Sequence, residues 1–101
     1  MTLAILHLFL NDPSDEAYQE TIHILKTLTQ GHPADLSISP AKVARGSQEV
    51  YATIQIKKED IPSLLDLLAD QWDGDDENCE CYDFLTKIHL PHVDTMVFWI
   101  A

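Results

Sequence analysis

The feature that most constrains this chain is its beginning, where Leu3-Ala4-Ile5-Leu6-His7-Leu8-Phe9-Leu10 is broken by one polar residue and stops at Asn11-Asp12-Pro13. The run is far short of the roughly 20 residues of a membrane span. It has neither the basic n-region nor the small-residue cleavage site of a secretory signal. We therefore read it as a strand. Because odd and even positions are both apolar, that strand belongs inside a sheet covered on both sides, or in one whose second face meets another subunit.

Asp12-Pro13-Ser14-Asp15-Glu16 reads as a helix start, with an Asp12 oxygen taking an orphan N–H, Pro13 in the first turn and the acids at the positive dipole end. Tyr18, Ile22, Leu25 and Leu28 then recur at steps of four, three and three as one core-facing stripe, which should end at Gly31 before Pro33. Asp35 to Ser39 alternates with period two, as a short strand does. Arg45-Gly46-Ser47 is a turn signal, and Val50 to Ile56 predicts a strand with Val50, Ala52, Ile54 and Ile56 on one face. A second helix is expected from about Glu59 to Trp72, with Ile61, Leu64, Leu65 and Leu68 inward and Pro62 in its first turn.

Asp73 to Asn78 reads as an acidic loop around Gly74. Tyr82, Phe84, Thr86 and Ile88 alternate with Asp83, Leu85, Lys87 and His89 as a half-exposed strand, and Met96 to Ile100 closes the chain as a strand apolar on both faces. The order β-α-β-β-α-β-β predicts an α+β fold. Its first six elements follow the ferredoxin-like plan, and an extra C-terminal strand pairs as a hairpin with the one before it. With 101 residues, 46% of them hydrophobic, residues 1–101 are expected to make a single domain, since half this length could hardly close a core.

Charge is the main functional lead. The formal net charge of −11 argues against direct binding to nucleic acid or anionic membranes, because engaging a polyanion depends on Lys and Arg displacing its counterions. Ten acids and no Lys or Arg fall between Glu59 and Asp83. Asp66, Asp70, Asp73, Asp75, Asp76, Glu77, Glu80 and Asp83, with Trp72 and Tyr82 as amphipathic anchors, form the expected docking surface for a basic protein. Small acidic proteins of this kind can serve as immunity proteins or inhibitors of basic nucleases, or as nucleic-acid mimics. The rival reading is a self-associating regulatory or ligand-binding module, a homodimer with Phe9, Val97 or Trp99 near its contact.

Other chemistry finds less support. Counting from Asp73, the sixth and twelfth positions of a calcium loop fall on Asn78 and Phe84, where Gly and Glu are required. Cys79-x-Cys81 with His89-x-x-His92 offers four zinc-type ligands, but an extended chain puts His89 some 26 Å from the thiols. No metal and no cofactor is expected. Three scattered glycines make no phosphate loop, and no serine sits in a nucleophile elbow, so no catalytic residue is assigned and a non-enzymatic role is expected. Two cysteines too close for an unstrained bridge point to a reducing, cytoplasmic setting.

Overall fold

A computed structural model of the chain describes residues 1–44 and 47–101, with side chains described outside positions 40–48. The expected turn at Arg45-Gly46 lies outside the described residues. The elements in chain order are β1 (Thr2–Leu10), α1 (Asp15–Thr29), β2 (Ala34–Ala44), β3 (Ser47–Ile56), α2 (Ile61–Leu68), β4 (Asp73–Gly74), β5 (Asn78–Tyr82) and β6 (Val93–Ile100). The fold is α+β: a six-stranded antiparallel sheet in the order β2-β3-β1-β6-β5-β4, with two helices.

β1 takes an interior place between β3 and β6, as its two apolar faces require. Its even positions, Ala4, Leu6, Leu8 and Leu10, are buried in one core with Val50, Ala52, Ile54 and Ile56 of β3 and Met96 and Phe98 of β6. Leu25 of α1 and Ile61, Leu64, Leu65 and Leu68 of α2 close that core from the helix side.

Three sequence expectations shift. First, α1 is capped by Ser14, whose hydroxyl accepts from the Ala17 N–H at 3.1 Å, while Asp12 accepts from the Ser14 N–H at 2.9 Å. Its buried residues are Ala17, Thr21, Leu25 and Thr29, which share only Leu25 with the expected stripe, while Tyr18 and Leu28 pack against the core partly buried. The two threonines can be buried because each hydroxyl donates to the carbonyl four residues back, Thr21 to Ala17 at 2.7 Å and Thr29 to Leu25 at 2.9 Å.

Second, α2 ends at Leu68 rather than Trp72, and a 3₁₀ turn over Lys58–Asp60 precedes it. Beyond it Ala69 pairs with Ile88, and the His89 N–H donates to the Leu68 carbonyl at 2.8 Å, so residues 87–89 run back past the helix end. That return is why Tyr82 to His89 is no strand. After Tyr82 the chain turns, leaving Phe84 77% exposed, and Leu90 rather than Phe84 enters the core.

Third, the C-terminal strand is not an addition at the edge. β6 pairs with β1 on one side and β5 on the other, and the strands outside it are β5, which starts at Asn78, and β4, which lies within the stretch read as an acidic loop. Among the described residues no helix is long and apolar enough to cross a membrane.

Candidate functional site

β5 is held in place by its cysteines. In Asn78-Cys79-Glu80-Cys81-Tyr82 the two thiols point to the helix side, Cys79 opposite Phe98 and Cys81 opposite Met96, both buried and free. They act as small apolar side chains. Burial pushes both thiols up to about 12. Asp76, Asp75 and Glu80 add to this at Cys79, and Cys79 and Asp73 add to it at Cys81.

The turn into β5 depends on Gly74 and Asp75. Gly74 has φ of +117°, and a Cβ there would collide with the Asn78 carbonyl oxygen. Asp75 Oδ1 accepts from the N–H groups of Glu77 at 2.8 Å and Asn78 at 3.0 Å, and the Asp75 N–H donates to the Asn78 carbonyl at 3.1 Å. Asp75 therefore serves the turn as well as the charge, a role that sequence reading did not separate.

The expected acidic surface is divided by the hairpin. A groove of about 190 Å³ lies on the helix side between α2 and the hairpin, lined by Pro62, Leu65, Trp72 and Cys79 and by the acidic residues Asp66, Asp70, Asp75 and Asp76. The Trp72 indole N–H donates to the Leu65 carbonyl at 2.9 Å, which fixes the ring against the core. Asp70 Oδ1 also lies 2.9 Å from His89 Nε2. Asp73 and Glu80, paired across β4 and β5, belong to the opposite face, as does Tyr82, which pairs with Thr95.

Glu77 sits beside the groove, 3.3 Å from Lys58 Nζ, with both side chains about two-thirds exposed (66% and 67%). An ion pair so exposed contributes little to stability. Asp83 is exposed, and its backbone N–H donates to the Asp94 carbonyl at 2.9 Å. Tyr82 packs its ring 5.6 Å from that of Phe84. Phe84 and Leu85, 77% and 60% exposed, are apolar surface that the strand reading concealed.

The four zinc-type residues do not converge. Cys79 and Cys81 face the core, His89 faces Asp70, and His92 Nε2 lies 3.0 Å from Glu20 Oε2. Among the described residues no group of three or more His, Cys, Asp or Glu side chains is placed to hold a metal ion.

The face of the sheet away from the helices carries a second cluster. His7 stacks on Tyr51 with ring centroids 4.0 Å apart and planes at 16°, lies 4.0 Å from the Phe9 ring, and meets Trp99 edge-on at 6.5 Å. Its Nε2 is buried without a hydrogen bond and lies 3.7 Å from Glu49 Oε1. Burial holds this imidazole below its usual range, and Glu49 offsets part of that. No known protein family matches the chain, and neither a curated protein nor a solved structure resembles it at a significant level.

Proposed function

We propose that this protein is a non-enzymatic binding module whose groove between α2 and the β4–β5 hairpin receives a lysine or arginine side chain of a basic protein. The observation that carries the reading is the make-up of the groove, which is lined by the apolar Pro62, Leu65 and Trp72 together with Asp66, Asp70, Asp75 and Asp76. A long basic side chain has the matching design, an aliphatic stem under a cationic head, and the indole face adds a cation–π contribution. The remaining acids set up a field that speeds the approach of a positive partner and disfavours nucleic acid. An inhibitor or immunity role toward a basic nuclease is the form of this function that such charge best suits. Two free buried thiols fit a reducing cytoplasm.

We also read β1-α1-β2-β3-α2-β6 as a ferredoxin-like unit, with β4 and β5 inserted ahead of its last strand. The strand order β2-β3-β1-β6 supports this. The insertion then supplies one wall of the groove, an arrangement in which function is grafted onto a general scaffold.

The test is a titration of nitrogen-labelled protein with a short peptide of alternating lysine, arginine and glycine, followed by NMR. Shifts are expected at the Trp72 indole N–H and the amides of Asp66, Asp70 and Asp76. They should weaken steeply with salt and be lost in the Asp66→Asn/Asp76→Asn double variant. Shifts confined to other surfaces, or unchanged in that variant, reject the groove as the docking site.

A further inference from the structure

A second and larger depression, of about 380 Å³, adjoins the groove. It is lined by Lys58 and Ile61 from the 3₁₀ turn and the first turn of α2, by Asp75, Asp76 and Glu77 from the turn into β5, and by Ile100 of β6. Asp75 and Asp76 line both depressions, so the two are neighbours. Their remaining lining differs. The groove has acidic residues and no Lys or Arg, whereas the second depression includes Lys58, whose Nζ lies 3.3 Å from Glu77 Oε1. Its apolar members are isoleucines: Ile61 is buried, and Ile100 packs against the core only in part. The Ile100 N–H donates to the Glu77 carbonyl at 2.9 Å, which ties this end of β6 to the turn.

We propose that this depression receives a bulky aliphatic side chain of the same basic partner, so that the recognised segment carries a lysine or arginine and, close by, a leucine-like residue. The inference rests on the groove reading and extends it from a charge to a two-residue motif. Charge complementarity divides the two places. A cation belongs in the groove, whose charged lining is wholly acidic, and is disfavoured in the second depression, where Lys58 repels it. An anion is disfavoured there too, by Asp75, Asp76 and Glu77. An uncharged apolar side chain meets neither penalty and finds Ile61 and Ile100 to pack against.

The local structure suits such an occupant. Asp75, common to both places, is held by its bonds from the Glu77 and Asn78 N–H groups, so the stretch that joins the two depressions is ordered before a partner arrives. The Lys58–Glu77 pair is about two-thirds exposed on both sides and contributes little to stability, so parting it to admit a side chain costs little. Because the two depressions share lining residues, one short segment of the partner can reach both.

Two peptides of equal charge, Lys-Leu-Gly-Arg-Gly-Leu-Lys and Lys-Ala-Gly-Arg-Gly-Ala-Lys, test this by NMR titration of the full chain. In an extended peptide the leucines lie on the same side as the arginine. The leucine peptide should bind about tenfold tighter, the gain from part-burying its extra carbons. Ile100→Thr should bring the two peptides to within about threefold of each other and leave binding of the alanine peptide unchanged. Asp66→Asn, which alters the groove alone, should weaken both peptides alike. Equal affinities in the wild type overturn this inference and leave the groove reading standing, as does a leucine preference that survives in Ile100→Thr. If neither peptide binds the wild type, the groove reading falls and this one with it. Should Ile100→Thr fail to fold, nuclear Overhauser contacts in the wild type decide the question. Contacts from the leucine methyls to those of Ile100 support the inference, and contacts confined to Phe84 and Leu85, or to the sheet face around His7, reject it.

Discussion

Asp73 and Glu80 stand directly opposite one another across β4 and β5, both exposed and both acidic. Like charges in that relation destabilise a strand pair. Because they face away from the groove, charge on them does not serve the proposed docking directly. Replacing Asp73 by Lys should therefore raise stability to chemical denaturation by about 0.2–1 kcal/mol and leave peptide binding at the groove nearly unchanged. A large loss of binding in that variant would place the docking surface on the opposite side of the hairpin.

Among the described residues, Gly31 and Gly74 have positive φ, and they should respond differently to alanine. At Gly31, φ is +81° and nothing lies within 4 Å of the added Cβ, so Gly31→Ala should cost only the backbone strain of a left-handed residue, about 1 kcal/mol. At Gly74 the Cβ meets the Asn78 carbonyl and lies 2.9 Å from Cys79 Cα, both backbone atoms. Gly74→Ala should cost more, about 3 kcal/mol or above, and open the hairpin. Hydrogen exchange checks this, since the Asp75 N–H should lose protection in Gly74→Ala and keep it in Gly31→Ala.

The long alternating and amphipathic segments made much of this architecture legible. Val50, Ala52, Ile54 and Ile56 share one buried face, and Ile61, Leu64, Leu65 and Leu68 line the inner side of α2, as their spacing indicates. The hairpin was hidden because Cys79 and Cys81 invite a chemical reading, whereas here they are the apolar half of an alternation whose polar half is Asn78 and Glu80. Tyr82 to His89 misleads for the converse reason. Its period of two is real, but the N–H and carbonyl groups of residues 87–89 bond to the end of α2 and the residues after it, a tertiary demand that no local pattern carries. The acidic site was legible as a list of residues and not as a shape, because strand register decides which side of the hairpin each carboxylate takes.

The thiols should be inert. With both pushed up to about 12, chiefly by burial, the thiolate fraction at pH 8 is about 10⁻⁴, against roughly one in ten for a free thiol. Alkylation by iodoacetamide at pH 8 should therefore be slowed by about two to three orders of magnitude in the native protein and recover in denaturant. The same displacement has a stability consequence: the folded state holds these protons more tightly, so stability is full below about pH 9 and declines as pH rises from there toward 12. Native alkylation as fast as that of the unfolded chain would mean that β5 does not bury its cysteines.

His7 should give the opposite slope in the acid range. Burial lowers its affinity for a proton below the ordinary value of 6.5, and the Glu49 carboxylate 3.7 Å away offsets that only in part. The unfolded chain then binds the proton more readily than the folded one, so the His7 contribution is fully present above about pH 6.5 and is lost as pH falls toward the lower folded value. Replacing His7 by Phe, which keeps a ring against Tyr51 and removes the titrating nitrogen, should flatten the stability profile between about pH 6.5 and 5, measured as the urea midpoint at each pH. Glu49→Gln should steepen it, because it removes a nearby carboxylate that favours the imidazolium. If the profiles of wild type and His7→Phe coincide across that window, His7 is not buried neutral on this face.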